Sequence, residues 1–126
     1  MDVTPLVKAG QQIIQSYANG KFRISGESYD SAVFVMPSGT QIWDTKATEI
    51  DQLTEQDFST LIAQANDLDV VLLGCGAEIA FLDKALKQKL SDHGLPVEVM
   101  DTGAACRTYN VLMAEGRRVA AALLPF

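Results

Sequence analysis

Residues 69–110 read DVVLLGCGAEIAFLDKALKQKLSDHGLPVEVMDTGAACRTYN, and their pattern decides the fold class. Val70-Val71-Leu72-Leu73 is a short continuous apolar run, as expected of a strand buried on both faces. Gly74-Cys75-Gly76 turns the chain directly after it. Ile79, Leu82, Leu86 and Leu90 then form a helical stripe, predicting a helix that starts just after Gly76. Lys87, Lys89 and His93 lie near its end, where the helix dipole favours positive charge. Gly94 suits the position after the last helical residue, and Pro96 enforces the stop. Leu95–Met100 reads as the next strand. A further helix begins within Asp101–Cys106 and runs to about Glu115, with Ala105, Tyr109 and Leu112 on one face. Gly116 ends it, and Val119–Leu124 is a final strand of small residues.

This β-α-β-α-β order implies substantial parallel pairing with right-handed crossovers. Upstream the period is different. Asn19-Gly20 between apolar runs is a strong hairpin signal, since both turn positions favour positive φ. Phe22 and Ile24 alternate with polar residues, Gly26-Glu27-Ser28 breaks the pattern, and Ala32–Met36 is another buried run. Pro37-Ser38-Gly39 turns into a strand at Thr40–Trp43, which places Ile42 or Trp43 on the core. At Thr54 the helical period returns, with a capping box completed by Asp57 and one face formed by Phe58, Leu61, Ile62 and Ala65. The expected fold is therefore α/β. It is a three-layer arrangement in which helices flank a central mixed sheet, with an additional N-terminal antiparallel meander. Residues 1–126 are expected to form one domain, with 1–11 as a loosely held arm.

Composition excludes several function classes. The chain of 126 residues has a formal charge of −6, which disfavours nucleic acid and anionic membrane surfaces. Its only doubled basic pair is Arg117-Arg118. No apolar run is long enough to span a bilayer, and the first residues lack the pattern of a signal or transit peptide. A cytoplasmic location without membrane insertion is expected. Two cysteines are too few for a disulfide framework, so both are expected as free thiols. The single His93 supplies no metal-ligand cluster, and neither a metal nor a cofactor is expected.

Any site is expected where two loops, 74–76 and 101–107, follow neighbouring parallel strands, because ligands of open α/β sheets bind beyond the strand carboxyl ends. The candidate ligand-binding residues are Gly74, Cys75, Gly76, Asp101, Thr102, Cys106, Arg107 and Asn110; none is assigned a catalytic role. Glycines allow close backbone approach, helix N-termini favour anions, and Arg107 offers a bidentate donor. The ligand would be a small anion or polar metabolite. The same residues also fit a purely structural role as tight turns, helix caps and a surface ion pair.

Three sharper motifs lie in the same stretch. Gly74-x-Gly76 after a strand resembles a dinucleotide fingerprint, but the third glycine position is Ile79. Val99-Met100-Asp101-Thr102-Gly103-Ala104 matches the local aspartic-protease signature, yet helical segments flank it where that chemistry needs an all-β frame. Cys75 and Cys106, one on each loop, could form a reactive thiol pair if helix N-termini lower their pKa, or could be small core residues.

The chain also resembles a small single-domain α/β family of largely unknown function. That family includes mitochondrial complex I (NADH dehydrogenase) assembly factor 3 and uncharacterised bacterial and archaeal relatives. The resemblance spans about residues 12–126. It rests on Phe22-Arg23-Ile24 with Gly26 and Tyr29, on Gly74-Cys75-Gly76, and on Gly94-Leu95 with Val97–Thr102. Ala104–Leu112 leading to Glu115-Gly116-Arg117 completes it. It implies a mixed sheet flanked by helices, no established catalysis and action through protein partners; the lack of a transit peptide suits a bacterial member. The expected function is thus a non-enzymatic binding or assembly protein. The alternative is an enzyme or sensor for a small anionic or polar metabolite, using the Cys75 and Cys106 thiols.

Overall fold

A computed structural model describes residues 11–126; the expected arm lies almost entirely outside them. Three strands, β1 (Ile14–Ala18), β2 (Lys21–Ile24) and β3 (Glu27–Tyr29), form a small antiparallel sheet. Two more, β4 (Val33–Met36) and β5 (Gly39–Ile42), belong to the main sheet. A single helical turn, α1 (Ser59–Ile62), precedes β6 (Val70–Gly74), α2 (Lys84–Asp92), β7 (Val97–Met100), α3 (Thr102–Ala114) and β8 (Val119–Leu123). The main sheet has the order β5-β4-β8-β6-β7. β6 runs parallel to β7 and β8, and β4 runs antiparallel to β5 and β8.

The hairpin signal is realised at Asn19 (φ 53°) and Gly20 (φ 75°), which join Ala18 to its partner Lys21. A second such turn, Ser25 (φ 46°) and Gly26 (φ 87°), leads into β3. The expected break at Gly26-Glu27-Ser28 is therefore only a turn. Glu27 and Ser28 are already paired with Ile24 and Arg23. Their exposed polar side chains carry no alternation that would mark a strand.

The period-2 alternation of the main-sheet strands divides the core into two layers. Phe34, Met36, Val71, Leu73, Ala120 and Ala122 face one side, against Leu86 and Leu90 of α2 and Trp43, Phe58 and Leu61. Val33, Val35, Leu72, Ala121 and Leu123 face the other, against Ala105, Tyr109 and Met113 of α3 and Phe22 and Ile24 of β2. Alanines at 120–122 keep the central strand β8 thin, so both layers approach it closely. Each Leu or Phe buried in these layers contributes about 1.5–3 kcal/mol of transfer free energy.

Two helix predictions need correction. Residues 54–66 form no continuous helix: α1 is flanked by 3-10 turns at Glu55–Phe58 and Ala65–Asp67. The Asp57 carbonyl accepts a 2.7 Å hydrogen bond from Trp43 Nε1, and the Asp57 carboxylate accepts from Thr45 at 2.7 Å. These tertiary bonds draw the segment onto Trp43 at the expense of a regular ladder. The Thr54 cap is nonetheless present, its N–H donating to Asp57 at 2.8 Å. The second correction is α2, which starts at Lys84 and not after Gly76. Asp83 is its N-cap, accepting from Leu86 N at 3.1 Å. Leu82, Leu86 and Leu90 are buried as the stripe required, but Ile79 is exposed.

Candidate functional site

β6, β7 and β8 all end at the same edge of the main sheet, which brings residues 74–76, 101–102 and 124 together. Thr102 is the hub there and is fully buried. Its hydroxyl donates to Leu124 O at 2.8 Å and accepts from Gly76 N at 2.9 Å. Its own N–H donates to Gly76 O at 2.8 Å, while Cys75 N donates to Met100 O at 2.9 Å. Gly74 fits only because it lacks a side chain: a Cβ there would lie 3.0 Å from Thr102 Cα, Thr102 Oγ1 and Leu123 Cδ2. The two loops do converge, as expected, but they converge on each other.

Of the remaining candidates, Cys75 and Cys106 belong to the two core layers, Asp101 and Asn110 are half-buried and Arg107 is at the surface. Asp101 caps α3, accepting from Ala104 N at 2.8 Å. The first donors of α3 therefore have internal acceptors, Gly76 O for Thr102 and the Asp101 carboxylate for Ala104. Asn110 accepts from Ile14 N at 2.9 Å and donates to Ile14 O at 2.8 Å, standing in for a neighbouring strand beside β1. Tyr109 supports the same attachment through a 2.9 Å bond from its hydroxyl to Gln12 O. Arg107 is exposed, and its guanidinium donates to the Tyr17 hydroxyl over Gly103.

The two thiols do not pair. Cys75 packs in the layer beneath α2, and Cys106 packs in the layer beneath α3 on the opposite face of the sheet. Burial pushes the Cys106 thiol up to about 12, against a smaller opposing pull from Arg107. It is therefore protonated at neutral pH and a poor nucleophile. Cys75 Sγ lies 3.2 Å from Ala80 N and 3.3 Å from Glu78 O, inside the curl of the loop that follows it.

That loop, residues 75–83, carries the surface that sequence patterning missed. Phe81 is 90% exposed and Ile79 61% exposed. Phe81 borders three clefts. One of about 410 Å³ lies between the loop, the start of α2 and β7, and it is lined by Ile79, Leu82, Lys84, Lys87 and Val99. A second, of about 570 Å³, has Asp51, Glu55 and Lys89 on its far wall. Of the eight candidate residues, only Cys75 borders any of the five clefts that stand out. A signal was available in the run Ile79-Ala80-Phe81-Leu82: one helical stripe cannot bury four consecutive apolar residues.

Residues 14–124 match the model of a protein family of unknown function, DUF498/DUF598. The chain belongs to that family. An uncharacterised relative from Rhodobacter capsulatus is 40% identical over 117 residues, covering 93% of this chain and 87% of its own. Mouse NADH dehydrogenase (ubiquinone) 1 alpha subcomplex assembly factor 3 is 31% identical over 112 residues. That match covers 89% of this chain but 60% of the assembly factor, so the chain spans about three fifths of the mouse protein's length. Among solved structures, one described as an outer membrane protein from Bartonella henselae superposes with a TM-score of 0.81 at 34% identity, covering 92% of this chain and 96% of that one. The DUF498 fold is thus a mixed five-stranded sheet between helices, with an added three-stranded antiparallel sheet, as the sequence implied. Among the described residues, no helix is long and apolar enough to cross a membrane.

Proposed function

We propose that this DUF498 protein is a non-enzymatic binding protein that holds a protein partner, in the manner of an assembly factor, through the apolar loop 75–83. The observation that carries this is Phe81, 90% exposed beside Ile79 on a loop whose base is anchored at the sheet edge. An exposed aromatic held on a firm base is the usual form of a protein-binding anchor. Kinship with proteins named as NADH dehydrogenase assembly factors supports the same class of action, with a subunit of a multisubunit complex as the partner. Two free buried thiols suit the reducing cytoplasm, which is where we place it. The test is in-cell cross-linking and purification of the tagged full chain, followed by quantitative mass spectrometry. The expected result is a reproducible partner that is lost when Ile79 and Phe81 are both replaced by Ser. A partner recovered equally with that variant, or none recovered at all, would overturn the proposal.

A second reading is favoured by Arg107, whose exposed guanidinium sits beside the Tyr17 hydroxyl at the candidate loop. It would take a small anion there through the guanidinium and the phenol hydroxyl. Thermal shift with millimolar inorganic phosphate tests it: the expected stabilisation is lost in Arg107→Ala, and no shift in the unaltered chain refutes it.

A further inference from the structure

Phe81 stands between two unlike surfaces. On one side, the 410 Å³ cleft has Lys84 and Lys87 among its lining residues. On the other, the ring borders the 570 Å³ cleft and a smaller one of about 320 Å³, both walled by the segment 49–55. The carboxylates of Glu49, Asp51, Glu55 and Asp83 line these two clefts against one base, Lys89. Asp83 is engaged as the α2 cap, and Glu55 lies 2.8 Å from His93 Nε2. Asp51 lines both clefts and is exposed, and its carboxylate has no partner among the described residues. Leu53 and Leu86, both buried, give the larger cleft an apolar floor. An exposed aromatic ring, an apolar floor and an unpaired carboxylate therefore share one surface.

We propose that this face takes a basic segment of a partner protein and seats an arginine side chain between Phe81 and Asp51. The chemistry of the occupant follows from charge and shape. The carboxylate excess around both clefts, on a chain of formal charge −6, attracts a cationic segment and repels a second acidic copy of this chain. Arginine suits the place better than lysine. Its planar guanidinium stacks on an aromatic face and donates in pairs to a carboxylate, while its stem lies along apolar surface. Lys84 and Lys87 repel the same segment on the opposite side of the ring, so the charges also decide which side of Phe81 it occupies. The proposal rests on the reading that the protein acts through a protein partner at loop 75–83, and it names the chemistry of that partner.

The full chain, labelled with nitrogen-15, is titrated with three capped heptapeptides that differ only at the central residue, Arg, Lys or Glu, set between leucines. The Arg peptide should move the amide resonances of 49–55 and 80–86. The Lys peptide should bind several-fold more weakly, and the Glu peptide should leave those resonances in place. Asp51→Asn and, separately, Phe81→Ser should each weaken Arg-peptide binding about tenfold, whereas Lys84→Ala should not weaken it. Asp51→Asn leaves the fold intact, because that carboxylate holds nothing among the described residues, and the spectrum away from 49–55 checks this. No binding of the Arg peptide at millimolar concentration, equal binding of the Lys or the Glu peptide, or undiminished binding by Asp51→Asn overturns the proposal. So does a dimer in sedimentation equilibrium that Phe81→Ser dissolves, because the surface would then belong to a second copy. Cross-linking in cells separates this idea from the broader one. A partner lost both when Ile79 and Phe81 are replaced by Ser and in Asp51→Arg supports both ideas. A partner lost with the first variant but fully retained by Asp51→Arg keeps the partner and overturns the arginine site, and one retained by both variants overturns both.

Discussion

The connections that leave β6 and β7 look alike in sequence: an apolar strand, a few small residues, then a helix. In the structure they differ in almost every respect. β7 passes into α3 through Asp101 alone, and the polar groups there have partners inside the molecule. β6 passes into α2 through residues 75–83, which curl around the Cys75 thiol and leave Ile79 and Phe81 in solvent. The tight connection holds three strand ends together through Thr102. The open one stands on that base and presents an apolar surface. Polar, ligand-like residues thus do the structural work here, while apolar residues of core type form the exposed surface.

The largest test of this division is Thr102→Val, which keeps the shape and removes the hydroxyl. Gly76 N and Leu124 O would then lack their partner in a buried place. Urea denaturation should show a loss of about 2–4 kcal/mol. A loss as small as that of a surface variant would mean the sheet edge is not held through this residue. Next is Asn110→Ala, which frees both backbone groups of Ile14 from α3. A loss of about 1–2 kcal/mol is expected, with faster hydrogen exchange in β1 ahead of the main sheet.

Cys106 gives a pH test of the layer beneath α3. Its thiol rises on folding from an ordinary value of 9.0 to about 12. The folded protein therefore favours the protonated thiol. Its contribution is complete below pH 9 and is lost as pH rises from 9 towards 12. The slope approaches about 1.4 kcal/mol per pH unit. Tyr109, raised by burial in the same layer, adds to the decline in the same direction. Urea midpoints between pH 8 and 10.5 should fall for the unaltered protein and fall less for Cys106→Ala; identical slopes would show that the thiol is already solvated. The smallest effect belongs to the open loop. Phe81→Ser should change stability by no more than about 0.5 kcal/mol, because the ring has little contact to lose. A larger loss would show that Phe81 packs onto the fold and is not free to bind.

Much of the fold was legible because its signals are local. Asn19-Gly20 dictated a hairpin, the apolar runs at 33–36 and 70–73 dictated buried strands, and Gly94-Pro96 ended α2. The failures have physical causes. The segment 54–66 has a helical face, but Trp43 takes the carbonyl of Asp57, and no local rule contains a partner from a different strand. Ile79 fits the stripe and so extends the apparent helix back to just after Gly76; the Asp83 cap and the bonds to Cys75 Sγ start α2 only at Lys84. Convergence of the two loops was legible from the β-α-β order. What their side chains face was not, since it depends on which face of the sheet each layer covers.

The sequence alone determined the class of fold, the antiparallel front and parallel rear of the chain, and the place where the strand ends meet. It did so because hydrophobic period, turn chemistry and helix caps act over a few residues. Only the tertiary structure decided that Thr102 and Asn110 would satisfy the backbone of distant strands, that Cys75 and Cys106 would lie on opposite faces, and that Phe81 would stand outside. Those outcomes depend on which polar groups find partners across the sheet and which apolar groups find no room in either layer, and both are settled only when the layers come together.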